Sequence, residues 1–274
     1  MLQVIISPAK QMQVDSDIFA PSGIPPFPAK TERLVDELRS IEKERGSAGL
    51  KELWRVNDAL LAENIERLHE FICIGDSSLL SDSTVARHVG PALFSYVGIQ
   101  YRSMAPDVLG ADALDWLQGH LWVLSALYGC VRPFDAVQPY RLEMAAKMAV
   151  GEARNLYAYW GADIARAVCQ APEREEEPAV LVNLASAEYA KAVLPQLDPP
   201  ATCVTCVFGE GLKNGKPVQR ATASKIARGS MVRWMAERGV ESASELERFD
   251  VGYTFFPELS VAEGPRRTLV FMRS

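Results

Sequence analysis

The chain has three histidines, five cysteines and no long apolar run among its 274 residues. His69, His88 and His120 stand apart from one another, so no pair has the helical spacing that grips a metal or assembles a Ser-His couple. Cys73, Cys130, Cys169, Cys203 and Cys206 are scattered and odd in number, which argues against a disulfide framework and fits a reducing compartment. Cys203 and Cys206 have the spacing of a redox or zinc motif, but they fall in an apparent strand, where residues three apart point to opposite faces. No cysteine neighbourhood marks a peroxide-reducing nucleophile. No metal, haem or other cofactor is expected.

The apolar stretch near Leu121 meets Tyr128, Gly129 and Arg132 within a few positions, short of the roughly 18 to 20 apolar residues of a membrane span. The first residues lack the basic-then-apolar build of a secretory leader. A cytoplasmic protein with no membrane partner is the expectation. With no internal repeat and no convincing linker, residues 1–274 are expected to form one domain.

What is present is the material of a large core: 48% of residues are apolar and 23% charged. The net charge of −6 argues weakly against a nucleic-acid partner, but the charge is segregated. Between Lys213 and Arg238 there are seven basic residues and one acid, Glu237, so this stretch carries +6 and the remainder −12. That contrast fits a phosphate-facing patch, and it also fits a solvated helix face. The acidic block Glu173 to Glu177, flanked by Pro172 and Pro178, reads as a solvated loop.

Leu2 to Ile6 reads as a buried strand that delivers Ser7 and Lys10 to a loop at its C-terminal end, where ligands often sit in α/β folds. The proline-rich residues 20–28 exclude a helix there. Thr31 offers an N-cap to an amphipathic helix, and a second helical pattern runs from Leu50 through Leu68 after Gly46 and Gly49. Ala92 to Tyr101 looks strand-like, Ala111 to Gln118 helical and Leu121 to Leu124 a buried strand. Helical spacing returns from Asn155 through Val168, and Ala179 to Val182 is another strand. Cys203 to Phe208 and the Asn214-Gly215 dipeptide predict a strand followed by a tight hairpin. A basic helix from about Thr222 to Glu237 ends at Gly239, Ser242 can cap a further short helix, and Thr268 to Met272 closes the chain as a strand. The fold class expected is α/β in the mixed sense: a mixed central sheet surrounded by helices, with a helix-hairpin-helix-like element near the C-terminus.

Several strings stand out in order. They are Ile6-Ser7-Pro8-Ala9-Lys10; Leu124-Ser125-Ala126-Leu127-Tyr128-Gly129 with Arg132-Pro133-Phe134-Asp135; Pro139-Tyr140-Arg141-Leu142-Glu143-Met144; Leu156-Tyr157-Ala158-Tyr159-Trp160-Gly161; Asn183-Leu184-Ala185-Ser186 with Glu188-Tyr189; Asn214-Gly215-Lys216; Lys225 with Ala227-Arg228-Gly229; and Gly252-Tyr253. Together they resemble the YaaA family of peroxide-stress proteins from end to end. Gln11-Met12-Gln13, Ala187 and Ser224 depart from the family pattern. The resemblance implies a compact α/β domain with a positively charged cleft, a helix-hairpin-helix element, DNA binding, and protection against hydrogen peroxide, partly by limiting free intracellular iron.

The shared residues suit two readings. In the first, Lys10, Arg132, Arg141, Lys225 and Arg228 neutralise DNA phosphates, with Tyr128, Tyr140, Trp160 and Tyr189 as stacking faces. In the second, an enzyme acting on a nucleotide or an extruded base, Ser125, Tyr128, Asn183, Ser186, Glu188 and Tyr189 are the catalytic candidates, with an anion received at the helix N-terminus beside Ser186. Each group also has a plain structural role open to it. Trp160 fits a core position, Arg132 a loop tie, Arg141 an ion pair with Glu143, Ser186 a helix cap and Asn183 a strand-end hydrogen bond. A regulatory protein acting through a protein partner is a third possibility.

Overall fold

The computed structural model describes residues 2–14, 19–170 and 178–274. The acidic block Glu173 to Glu177 lies outside them. The main sheet has eight strands, numbered here β1 (Leu2–Ile6), β2 (Leu121–Ser125), β3 (Gly129–Val131), β4 (Val180–Asn183), β5 (Thr202–Gly209), β6 (Tyr253–Phe255), β7 (Val261–Glu263) and β8 (Arg266–Arg273). Their order is β6-β8-β5-β4-β1-β2-β3, with β7 also on β8. Every pairing within β8-β5-β4-β1-β2 is parallel, and β3, β6 and β7 are antiparallel additions at the margins. Parallel strands need cover on both faces. All five residues of β1 and of β2 are accordingly buried, as their unbroken apolar runs require.

The parallel strands run 2-1-3-4-5 in space, counted in chain order. The chain goes outward from β1 to β2, returns across β1 to β4, and proceeds the other way through β5 and β8. Loops leaving β1 and β4 therefore part to opposite sides of the sheet, and the crevice at their C-terminal ends is where doubly wound folds take ligands. Ser7 leaves β1 there and Leu184 leaves β4.

Helices cover both faces. Across β5, Cys203 shares its surroundings with Cys169 of the Asp163–Cys169 helix, and Cys206 with Arg228 of the Ala221–Arg238 helix, so the two cysteines do point to opposite faces. Both are buried, and burial pushes both thiols up. The Ala221–Arg238 helix crosses the Ile99–Met104 helix at Gly229, where a Cβ would stand 2.0 Å from the Gln100 carbonyl oxygen. Only glycine permits that approach. One apolar core extends from Leu2 through Phe271.

Local structure departs from the sequence reading in four places. Ala92 to Tyr101 is not one strand: it forms the Ala92–Ser95 helix, the two-residue strand Tyr96–Val97 and the start of the Ile99–Met104 helix. Its aromatic and β-branched residues pack in the core as short turns of helix, so burial and not sheet pairing explains them. The first helix begins at Pro28, with Phe27 as N-cap, and Thr31 is buried inside it with its hydroxyl on the Leu127 carbonyl. Gly46, non-helical at φ 64° and ψ −171°, divides Pro28–Trp54 into two helical segments as its place in the sequence predicts, but the pattern from Leu50 to Leu68 is interrupted at Arg55 to Asn57, where the Asn57 side chain caps the Asp58–Glu70 helix. Beyond Gly239 the chain forms a six-residue 3₁₀ segment, Ala243–Arg248, closed by a capping box between Ser242 and Glu245. The succession is thus one long helix, a turn and a 3₁₀ segment. No helix of the described residues is long and apolar enough to cross a membrane.

The crossing at Gly229 gives a direct test. Gly229→Ala should cost about 1 to 3 kcal/mol or more through overpacking against backbone. Gly119→Ala, with open space around its Cβ position in the Ala111–His120 helix, should stabilise by about 0.5 to 1 kcal/mol. Urea unfolding of both variants checks the contrast.

Candidate functional site

The reversal point is filled with polar groups. The Ser7 hydroxyl accepts from the Ser186 backbone N–H at 2.8 Å and lies 3.2 Å from the Ser186 hydroxyl, so the loops after β1 and β4 are clasped together. Tyr101, on the Ile99–Met104 helix, donates to the Ser7 carbonyl at 3.1 Å. Gly98 lets that helix start against Ala9, whose Cβ would be 3.3 Å from a Cβ at residue 98. Asn183 ends β4 by accepting from the Ala185 N–H and donating to Thr205 of β5. Ser186 is the N-cap of the Ala187–Ala190 helix, with no side-chain capping bond, since its hydroxyl turns to Ser7.

The Tyr140-to-Ala145 segment lies over this clasp. One oxygen of Glu143 receives both Lys10 at 2.9 Å and Arg141 at 2.7 Å, and Glu188 receives the Ala145 N–H at 3.0 Å. Two cations share one carboxylate here, leaving the trio with a net positive charge. Tyr140 lies 2.7 Å from the Ser125 hydroxyl and 3.4 Å from that of Tyr96. Burial pushes Tyr96, Tyr101, Tyr140 and Tyr189 above the ordinary phenol range, so all four stay neutral hydrogen-bonding groups.

The fold brings Lys10, Ser125, Arg141, Asn183, Ser186, Glu188 and Tyr189 to this end of the sheet. Lys225 and Arg228 lie in the first two turns of the Ala221–Arg238 helix, which starts beyond the C-terminal end of β5 and runs back along the sheet. Tyr128 is turned away: its hydroxyl bonds both the N–H and the carbonyl of Gln138. Trp160 is buried in the core with its indole N–H on the Ala126 carbonyl. Ser125 is fully buried and accepts from the N–H groups of Leu127 and Tyr128, so it holds the turn into β3.

Arg132 lies at the opposite end of the sheet. Its guanidinium bonds Gln3 and the Gly119 carbonyl and stacks 3.7 Å over Trp122, tying the edge strand to the Ala111–His120 helix. The antiparallel return of β3 carries it there, and hydrophobic pattern alone does not show a strand's direction. One contributor to the clasp was not among the sequence candidates: Tyr101. Gly98, which lets its helix start close against Ala9, is the sequence signal beside it.

Further cations follow the C-terminal end of β5. The hairpin Leu212–Lys213 and Lys216–Pro217 turns through Asn214 and Gly215, both at positive φ, and projects beyond β5. Lys213, Lys216 and Lys225 are exposed and form no ion pair among the described residues. The rest of the +6 stretch is partly answered internally: Arg220 pairs with Glu210, Arg233 with Glu237, and Arg238 stacks on Trp234. Among the described residues no three His, Cys, Asp or Glu side chains are grouped as metal ligands. A groove of about 430 Å³ lies at the other end of the sheet, between Leu2, Val180, Thr202 and the Glu241 to Ser244 turn, away from these groups.

The strand order and the clasped reversal point define a doubly wound α/β protein with exposed lysines beyond the C-terminal end of its sheet. Residues 2–259 match the family described as peroxide stress protein YaaA. A UPF0246 protein of Limosilactobacillus fermentum is 41% identical over 261 residues, 94% of this chain and 96% of the relative. UPF0246 proteins of Lactiplantibacillus plantarum and Desulfitobacterium hafniense are 38% and 37% identical, covering 91% and 100% of this chain and 91% and 98% of theirs. The chain belongs to the peroxide stress protein YaaA family.

Arg132 has a measurable neighbour in Asp135. That carboxylate accepts the Arg132 backbone N–H at 2.7 Å, yet burial raises its pKa to about 7. The folded protein therefore keeps a proton that the unfolded chain releases above about pH 4. Stability should fall as pH rises from about 4 to 7, by about 1.4 kcal/mol per pH unit where the states differ by a full proton. Thermal unfolding across this range should show the decline in the wild type and a flatter profile in Asp135→Asn.

Proposed function

We propose that this chain is a DNA-binding protein of the peroxide-stress response, engaging DNA phosphates along the C-terminal edge of its sheet. The observation that carries the reading is the set of exposed lysines without carboxylate partners among the described residues, Lys213, Lys216 and Lys225, at the same end of the sheet as Lys10. The Lys10 side chain is 68% exposed although it touches Glu143. β1 and β5 are two strand spacings apart, about 10 Å, so these groups span a distance comparable to the width of a DNA groove. A mobile ammonium on a long stem serves a phosphate as a point charge, which suits backbone binding without base readout.

The binding reading is preferred to catalysis because the candidate catalytic groups are engaged locally. Ser125, Tyr128 and Asn183 each hold backbone groups, and Glu188 receives a backbone N–H 3.0 Å away, with no described hydroxyl paired to its carboxylate. An acid–base pair needs donor and acceptor within hydrogen-bond reach of each other. Arg141 serves this edge by holding Glu143 beside Lys10, while Arg132 is not part of it. In this reading any influence on free intracellular iron is indirect, through protected DNA.

Duplex binding across a salt series tests the proposal. Wild-type affinity should fall steeply with salt, and the combined Lys213→Ala, Lys216→Ala, Lys225→Ala variant should flatten the log–log slope by roughly 2 to 3, about 0.9 for each phosphate no longer neutralised. Arg132→Ala should leave the slope unchanged. A slope unaltered by the lysine substitutions would refute this placement of the DNA.

A further inference from the structure

Six buried side-chain nitrogen or oxygen atoms among the described residues have no hydrogen-bond partner; Trp54 Nε1 and Trp234 Nε1 are two, and the other four come from two crossing helices and the Tyr140-to-Ala145 segment. Gln100 Nε2, Ser224 Oγ and Arg228 Nε belong to the two helices that cross at Gly229. Arg141 Nε belongs to the segment over the clasp. Ser224 and Gln100 are 4% and 6% exposed, so solvent does not satisfy them as it would on a surface. All four can donate, and a buried donor left unmatched costs free energy that a bound acceptor would restore.

Ser224 and Arg228 are four residues apart and share a helix face. The Gln100 carbonyl is the atom that Gly229 leaves room for, which puts the Gln100 and Arg228 backbones side by side. Arg228 has no carboxylate partner among the described residues; the group that bears on it electrostatically is the buried thiol of Cys206. Burial pushes its guanidinium below the ordinary value, the mark of a cation held away from water without a counter-charge.

We propose that Arg228, Ser224 and Gln100 form a recessed receptor for a phosphomonoester group, carried by a nucleoside 5′-monophosphate or by the 5′ end of a DNA strand. Three terminal oxygens can meet a guanidinium, a hydroxyl and an amide together, which the two oxygens of a carboxylate do less completely. A phosphodiester inside a strand has two free oxygens and a sugar on each side, so it stays at the lysine rim. The receptor thus differs from the rim in depth and in the phosphate it accepts, and it stands whether or not duplex DNA binds at the lysines.

Calorimetric titration of the full chain with a nucleoside 5′-monophosphate, the matching nucleoside and inorganic phosphate tests it, using wild type, Ser224→Ala and Arg228→Gln. Wild type should bind the monophosphate and inorganic phosphate but not the nucleoside. Arg228→Gln should weaken binding at least about tenfold, the worth of one charge-assisted hydrogen bond. Ser224→Ala removes an atom without a partner and should keep its melting temperature while binding several-fold more weakly. The Lys213→Ala, Lys216→Ala variant should bind the monophosphate as wild type does, even where duplex binding is abolished. Stronger binding of a 5′-phosphorylated than a 5′-hydroxyl oligonucleotide, unmatched by free monophosphate, would assign the strand end; equal binding of free monophosphate would assign the nucleotide. No phosphate binding at low salt, or undiminished binding in both the Ser224→Ala and Arg228→Gln variants, would overturn the receptor.

Discussion

The return of the chain from β2 across β1 to β4 governs what the rest of the molecule can do. At that reversal two loops leave adjacent parallel strands in opposite directions, and neither can complete its backbone hydrogen bonds with the other by continuing the sheet. Side chains take over: Ser7 receives the Ser186 N–H, and Asn183 receives that of Ala185. Once the gap is closed by hydroxyls and amides, the surroundings must supply matching polar groups in a place that helices cover on both faces. The buried tyrosines, the shared Glu143 carboxylate and the recessed Arg228 all follow from that demand.

Helix packing then decides which cations remain available. The close approach at Gly229 draws the Ala221–Arg238 helix against the Ile99–Met104 helix, taking Arg228 and Ser224 inward while leaving Lys225 outside. A run of charge that looks uniform in sequence is thereby divided. Arg233 and Arg238 find partners on their own helix, Arg220 is matched by Glu210, and the lysines of the hairpin are left to solvent.

The strands are legible in the chain because burial on both faces leaves continuous apolar runs, as in Leu2 to Ile6 and Leu121 to Leu124. Asn214-Gly215 shows its turn because few other residues accept positive φ at two successive positions. Ala92 to Tyr101 does not show its structure, since apolar and aromatic residues in short buried helices carry no period long enough to distinguish from a strand. Within the site, Lys10 and Asn183 can be placed at strand ends from the chain alone, and Arg141 can be paired with Glu143, whereas Arg132 cannot be placed. Its location depends on β3 running against β2, a fact of pairing between segments. Ser224 and Gln100 are invisible for a different reason: an unmatched donor is defined by what surrounds it, and no local pattern records that.

The hairpin register places Lys213 directly opposite Lys216. Two like charges facing each other across a short antiparallel ribbon work against its closure. The ribbon is therefore at its least stable when free, and any anion settling between the two ammonium groups would tighten it. Order in this loop should report occupancy, so that backbone amide exchange at Asn214 and Gly215 becomes a gauge of bound charge even when the rest of the fold is unmoved.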